Sequence, residues 1–177
     1  MKIILISGKA ESGKDTSANF IKKYLEEKGK KVVIIKFADF LKSFLQKSIG
    51  WNGKKDKPGR SLLQQYGTNI IRENYKNTFT DIMNAILKGI NGCFDYVIIP
   101  DVRFENEIYE IKKNFDCISL RVLRNLCNNL TEEQKEHESE TALDDYKFDA
   151  YINNNSDLQF LNKACEYFCE FYLGEIQ

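Results

Sequence analysis

Gly8, Ser12, Gly13, Lys14 and Asp15 are the residues whose types and spacing first suggest chemistry, within the run Gly8-Lys9-Ala10-Glu11-Ser12-Gly13-Lys14-Asp15-Thr16. Two glycines at this separation let the backbone curl so that several N–H groups point at one anion. A helix opening there adds its positive end, and Lys14 adds a point charge for the outer phosphates of a polyphosphate. Where such loops commonly place a Ser or Thr hydroxyl on Mg²⁺, this chain has Asp15. A carboxylate can also hold Mg²⁺, directly or through water, at the cost of negative charge beside the phosphates. The plainer reading of Asp15 is that an acidic residue favours the first turn of a helix.

Further along, Asp101 ends an apolar run and Arg103 follows it. An acidic residue at the carboxyl end of a buried strand is well placed to orient Mg²⁺ or its waters, and Arg103 would project over the same edge. The competing readings are a loop-capping aspartate and a surface pair of Arg103 with Glu105 or Glu107. Arg121 and Arg124 lie near the end of a later apolar run. The lysines of the segment 50–59 suit a solvated loop better than a phosphate site. His137, the only histidine in the chain, is given no catalytic role.

These residues need strands and helices to position them. Residues 2–7 are continuously apolar and rich in isoleucine, which predicts a buried strand. Phe20, Ile21, Tyr24 and Leu25 share one face of a helix over about 14–28, closed by Gly29. A second buried strand is expected over 31–37, a third over 94–99 ended by Pro100-Asp101, a fourth over 117–123 and a short fifth over 148–152. Strand, helix, strand with both strands apolar throughout predicts an α/β fold: a parallel sheet covered by helices on both faces.

Between about 38 and 92 the pattern is mostly helical. Helices are expected over 39–49, from a capping box at Ser61-Leu62-Leu63-Gln64 to about Tyr75, and around Ile82–Ile90. This helical insertion is a candidate substrate-binding lobe. A helix is also expected over 105–113, a flap over about 125–145 with a capping box at Thr131-Glu132-Glu133-Gln134, and a final helix capped by Ser156-Asp157-Leu158-Gln159.

The 177 residues suffice for one compact domain with a sizeable core. Lys and Arg number 26 and Asp and Glu 26, so the formal charge is zero, unlike the basic balance of a dedicated nucleic-acid binder. No apolar run approaches a membrane span, and the N-terminus enters a strand with no cleavable signal. Five cysteines without a framework spacing read as free thiols of a cytoplasmic protein. Cys165 and Cys169, four apart on a helix, read as core packing rather than a metal site. An amphipathic helix can face its own core or a twin, so a homodimer stays open.

Several segments together carry a family resemblance. They are the 8–16 run, Phe37-Ala38-Asp39-x-Leu41-Lys42, Leu62-Leu63-Gln64-x-x-Gly67-Thr68-x-x-Ile71-Arg72, Ile99-Pro100-Asp101-Val102-Arg103-Phe104-x-Asn106-Glu107, and His137-x-Ser139-Glu140-x-Ala142-Leu143. In this order, over nearly the whole chain, they resemble the deoxynucleoside monophosphate kinases of bacteriophages and some bacteria, in which Asp after Gly-Lys is usual. Animal phosphomevalonate kinase is similar in its Ser-Gly-Lys-Asp loop and in a tail like Glu138-Ser139-Glu140-x-x-Leu143-Asp144.

The resemblance implies a P-loop NTPase three-layer sandwich of the nucleoside monophosphate kinase type, with a five-stranded parallel sheet. It implies transfer of the γ-phosphoryl group of ATP to a deoxynucleoside monophosphate, with Mg²⁺. On that footing Gly8, Ser12, Gly13 and Lys14 take the donor phosphates, and Asp15, Thr16 and Asp101 manage Mg²⁺. Arg103 and Arg124 meet the transferring group. Lys42, Gln64, Thr68, Arg72 and Glu140 fall on acceptor-side motifs, with Arg60 one helical turn before Gln64. Arg72 suits the acceptor phosphate because a planar fork grips a phosphate in two places; a surface pair with Glu73 or Asp81 is the alternative. Phe40 stands where these kinases often have proline, and the flap has few arginines, which leaves the work of an arginine-rich lid to Arg124 and Lys135 or to the sheet arginines Arg103 and Arg121. A kinase for another phosphorylated acceptor and a non-catalytic ATP-binding module are the rival functions.

Overall fold

The computed structural model describes residues 1–54, 56–125 and 132–175. Expectations placed on Lys55, Cys127 and Thr131, the first residue of the flap's capping box, lie outside the described residues.

Apolar strand residues dictate the centre. Strands β1 (Lys2–Ser7), β2 (Val32–Ile34), β3 (Tyr96–Val102), β4 (Cys117–Leu123) and β5 (Ala150–Asn153) form one parallel sheet in the order β2-β3-β1-β4-β5. Because side chains alternate across a strand, β1 splits its residues between two cores. Ile4 and Ile6 face helices α1 (Lys14–Glu27) and α8 (Leu158–Leu173), packing with Ile21, Leu25, Leu161, Cys165 and Phe168. Ile3 and Leu5 face the other layer: α2 (Asp39–Ile49), α4 (Thr78–Gly89) and α5 (Glu105–Lys112). There Leu41, Leu45, Met83, Leu87, Ile108 and Ile111 close the second core. The three-layer α/β sandwich is therefore present with all five strands parallel. Cys165 and Cys169 are core residues, and burial pushes the Cys165 thiol up to about 12. Among the described residues no helix is long and apolar enough to cross a membrane.

Five boundaries differ from expectation. Strand β3 does not stop at Ile99 but runs through Pro100 and Asp101 to Val102. Its pairing with β1 slips between Leu5 and Ser7, so the proline sits where the ladder is already irregular. Strand β2 spans only three residues, because beyond it the main chain turns to meet Asp101. The helix expected to open at Ser61 begins at Lys57, as α3 (Lys57–Gln64). Its cap is Asp56, whose carboxylate accepts the Gly59 N–H at 3.0 Å, with Pro58 in the first turn. Helix α8 is capped by Asp157, accepting from Phe160 N at 2.8 Å, rather than by Ser156. β5 starts at Ala150, two residues later than expected, after the Phe148 ring has been drawn into the second core.

Beyond α3 the chain continues as a π-helical stretch, Gln65–Arg72, before α4. All elements between β2 and β3 are helical, as the periodicity indicated. In the flap, α6 (Glu132–Glu136) and α7 (Glu138–Thr141) are short helices.

Candidate active site

The loop between β1 and α1 is shaped by backbone conformation. Glu11 and Gly13 both have positive φ, 64° and 95°, which turns successive N–H groups toward one side. A Cβ on Gly13 would stand 2.3 Å from Asn154 Nδ2, and one on Gly8 would stand 2.7 Å from the Val122 carbonyl oxygen. Asn154, just past β5, donates from Nδ2 to the Ser12 carbonyl at 2.8 Å and so holds the loop from outside. The Ser12 hydroxyl is buried and finds no hydrogen-bond partner among the described residues. A ligand oxygen would satisfy it.

Lys14, the first residue of α1, is buried with its Nζ 3.1 Å from the Lys9 carbonyl. Burial, and then the nearby Arg103 guanidinium, lower its pKa to about 7. An ammonium held this way gains greatly from an incoming polyphosphate. Glu140, from α7, already supplies one negative charge: its Oε2 accepts the Ala10 N–H at 2.8 Å and its Oε1 lies 2.7 Å from Arg103 Nη1. Arg103 also donates to the Ser139 carbonyl at 3.2 Å. The ion-pair partner of its guanidinium is thus Glu140, neither Glu105 nor Glu107. Glu140, expected on the acceptor side, bridges the phosphate loop and Arg103 while lining the same cavity.

That cavity, of about 400 Å³, opens between the loop and the helical insertion. Lys14, Asp15, Asp101 and Arg103 line it from the sheet side, and Lys42, Arg60, Gln64, Thr68 and Arg72 from the insertion. Asp15 is paired with Lys36. Asp101 accepts the N–H groups of Phe37 at 2.9 Å and Ala38 at 3.0 Å, one on each carboxylate oxygen. Burial raises its pKa against the pull of those two donors. Its observed contacts are those of a loop-capping aspartate, and each oxygen keeps a lone pair for a water or a cation. Lys42 lies 3.4 Å from Asp39, and Arg60 Nη2 reaches Glu11 Oε1 at 2.9 Å, tying α3 to the phosphate loop. Gln64, Thr68 and Arg72, spaced by four, share the face of the π-helical stretch and its lead-in that looks into the cavity.

Arg72 is held more firmly than its sequence neighbours suggest. Its guanidinium carbon lies over the rings of Phe79 and Phe104, 4.5 and 4.1 Å from their centroids, and the group pairs with Glu107. The expected partners Glu73 and Asp81 are not used. Glu107 is fully buried, and its other oxygen accepts the N–H groups of Arg103 at 2.6 Å and Phe104 at 3.1 Å.

Five expected residues do not line this cavity: Gly8, Ser12 and Gly13 of the loop itself, Thr16 and Arg124. Thr16 is half-buried in the first turn of α1 and does not line it. Arg124, exposed after β4, lines a second cavity of about 380 Å³ on the other side of the loop, with Lys9, Ser12, Tyr146 and Tyr151, and its Nη1 lies 3.4 Å from the Glu11 carbonyl. Arg121, in contrast, is buried and pinned to Ser7 at 3.0 Å and Asp144 at 2.8 Å. Asn154 and Glu107 were not assigned roles from sequence. The available signals were a polar residue directly after a buried strand and a Glu at the third position of α5.

The sequence profile described as deoxynucleotide monophosphate kinase matches residues 47–164, about two thirds of the chain. No curated protein matches. Among solved structures, shikimate kinase from Bacteroides thetaiotaomicron is similar at 12% identity and TM-score 0.53, covering 97% of this chain and 98% of that one. The Mycobacterium tuberculosis APS kinase in complex with AMPPNP and APS is similar at 11% identity and TM-score 0.50, covering 92% of this chain and 93% of that one. At such identities the likeness establishes the fold, a P-loop kinase fold, and the phosphotransferase class follows from the profile match rather than from these neighbours. The chain belongs to the deoxynucleotide monophosphate kinase family of phosphotransferases.

Proposed function

We propose that this protein transfers the γ-phosphoryl group of ATP to a deoxynucleoside monophosphate, giving the deoxynucleoside diphosphate and ADP. The observation that carries this reading is the single cavity lined by Lys14 and Arg103 on one wall and by Arg60 and Arg72 on the other. Two mutually repelling phosphate groups must be brought end to end for this reaction, and cations on both walls oppose that repulsion. An oxygen of the acceptor phosphate attacks the γ-phosphorus while the bond to the β–γ bridging oxygen breaks, and ADP leaves with that electron pair.

On this reading Lys14, Ser12 and the N–H groups around Gly8 and Gly13 hold the donor phosphates. The second cavity, bordered by Lys9, Ser12 and Arg124, receives the donor's nucleoside. The insertion at about 38–92 is the acceptor lobe of a single kinase domain, and the flap at about 125–145 is its lid. Arg72 grips the acceptor phosphate, Lys42, Gln64 and Thr68 line the acceptor's place, and Arg103 meets the transferring group. Glu140, now on Ala10 N–H, is the group the incoming phosphate would displace.

The donor set also suits Mg²⁺. Asp15 and Asp101 line the cavity and Thr16 lies beside Asp15, while no group of three or more His, Cys, Asp or Glu able to hold a metal exists among the described residues. An ion that prefers one or two carboxylates, waters and substrate phosphates fits such a set better than one needing an all-protein cage. When bound, Mg²⁺ supplies neutralisation of phosphate charge.

An ADP-release screen with ATP and Mg²⁺ across all deoxynucleoside and nucleoside monophosphates, with phosphomevalonate included, tests the proposal. Product with one or more deoxynucleoside monophosphates is expected. Turnover of phosphomevalonate alone, or ATP binding without any acceptor turnover, would replace it with one of the rival functions.

A further inference from the structure

Glu107 makes no contact with the phosphate loop, yet it touches the two places from which the cavity's key arginines emerge. Its Oε1 meets Arg72 Nη2, and its Oε2 takes the main-chain N–H groups of Arg103 and Phe104. The residue is fully buried at the start of α5. A buried carboxylate is stable only when its lone pairs are met, and here the donors come from two separate elements. One is the end of the π-helical stretch, which carries Arg72. The other is the turn between β3 and α5, which carries Arg103.

The aromatic rings complete the constraint. The guanidinium carbon of Arg72 lies over both the Phe79 and the Phe104 rings, so two aromatic contacts restrict its movement while Glu107 fixes one end of the fork. No other hydrogen bond of this guanidinium is found among the described residues. The Nη2 hydrogen that Glu107 does not take therefore remains, together with the Nη1 or Nε hydrogen that shares its edge of the guanidinium, to meet a phosphate in two places.

We propose that Glu107 is a positioning residue that holds Arg72 in register with the Arg103 turn, so that the acceptor phosphate is presented at a fixed place relative to the donor. The inference rests on Arg72 being the acceptor-phosphate ligand. Glu107 borders the cavity, but both of its oxygens are taken by the two arginine-bearing segments, and it acts through them. Glutamine is the informative replacement. Its single carbonyl oxygen serves either Arg72 or the two N–H groups but not both, and its NH₂ group must face whichever donor it abandons.

Steady-state kinetics on the full chain and on Glu107→Gln, Arg72→Ala and the double variant test this, with ATP and whichever deoxynucleoside monophosphate the wild type turns over. Glu107→Gln is expected to raise the acceptor KM roughly 10- to 100-fold, as a displaced binding group does, with the KM for ATP within about twofold. The double variant should be no worse than Arg72→Ala alone. Added guanidinium ion should restore part of the acceptor kinetics of Arg72→Ala while Glu107 is intact, a measurement that does not depend on Glu107→Gln folding.

Effects that multiply in the double variant, an ATP KM that rises in step with the acceptor KM, or absence of guanidinium rescue would overturn the role of Glu107. An unchanged acceptor KM in Arg72→Ala would instead remove Arg72 from the acceptor site. The inference would then fall with the reading it rests on, a result distinguishable from the other three.

Discussion

The phosphate loop and the helical insertion face one cavity but are held in place by different means. In the loop, geometry comes from the main chain: positive φ at Glu11 and Gly13, the Ser12 N–H on the Lys9 carbonyl at 3.1 Å, and one outside brace, Asn154. In the insertion, the residues that face the cavity are set by partners far away in sequence. Arg72 needs Glu107, Phe79 and Phe104, and Arg60 needs Glu11. A main-chain device tolerates little change and works with any polyphosphate. A side-chain device can be retuned one residue at a time, which suits the wall that must discriminate among acceptors.

If that contrast holds, the largest single effect belongs to the loop. Lys14→Ala should lower kcat by roughly 10²- to 10³-fold or more, the scale seen when one preorganised charge-stabilising group is removed. Circular dichroism should show the fold unchanged, since the substitution removes a buried charge rather than a core side chain. Near-normal turnover would mean that the loop's amides suffice and that the contrast is misdrawn.

Next comes Gly13→Ala. It imposes a Cβ on a residue at φ 95° and places it 2.3 Å from Asn154 Nδ2. A loss of about 1–3 kcal/mol in urea unfolding is expected, with weakened binding of an ATP analogue. Unchanged stability would show that the loop and Asn154 yield more readily than the geometry implies.

The ionisation of Lys14 sharpens the comparison further. Its pKa is lowered to about 7 in the free protein. An arriving polyphosphate favours the ammonium, so binding at pH 8 should take up a proton, and affinity should fall by up to about tenfold per pH unit above 7. Calorimetry at pH 8 in two buffers of different ionisation heat reads the uptake directly. The same shift has a stability consequence: between pH 7 and the unfolded value of 10.5 the unfolded chain holds more protons, so the Lys14 contribution to stability rises with pH across that window. Both dependences should vanish in Lys14→Ala.

The smallest effect is expected in the insertion. A Cβ on Gly67 would meet only the flexible Leu41 Cδ2, at 3.1 Å. Gly67→Ala should change stability by less than about 1 kcal/mol, helix propensity offsetting the crowding. A stability loss as large as that of Gly13→Ala would erase the distinction between the two walls.

Much of this molecule was legible because its signals are local. Runs of isoleucine and valine at 2–7 and 96–99 announce buried strands, the apolar stripe at Ile21, Tyr24 and Leu25 announces α1, and Gly8 with Gly13 announces the turn between. Each follows from periodicity or from allowed backbone angles, which a residue carries wherever it stands. Cap choice is already harder. Ser61 and Ser156 present the right pattern, yet Asp56 and Asp157 do the capping, because the preceding chain, and not the motif, decides where the first turn opens.

Pairing across the fold could not be read at all. Arg72 had acidic neighbours at Glu73 and Asp81, but packing within the second core brings Glu107 of α5 to it. Arg103 had Glu105 and Glu107 at hand and instead finds Glu140 on the flap. The sequence by itself determined the alternation of strand and helix, the loop that curls around an anion, and the kinds of charge available. Which carboxylate meets which arginine was left to the tertiary structure, because an ion pair has no periodicity and forms wherever packing brings opposite charges within reach.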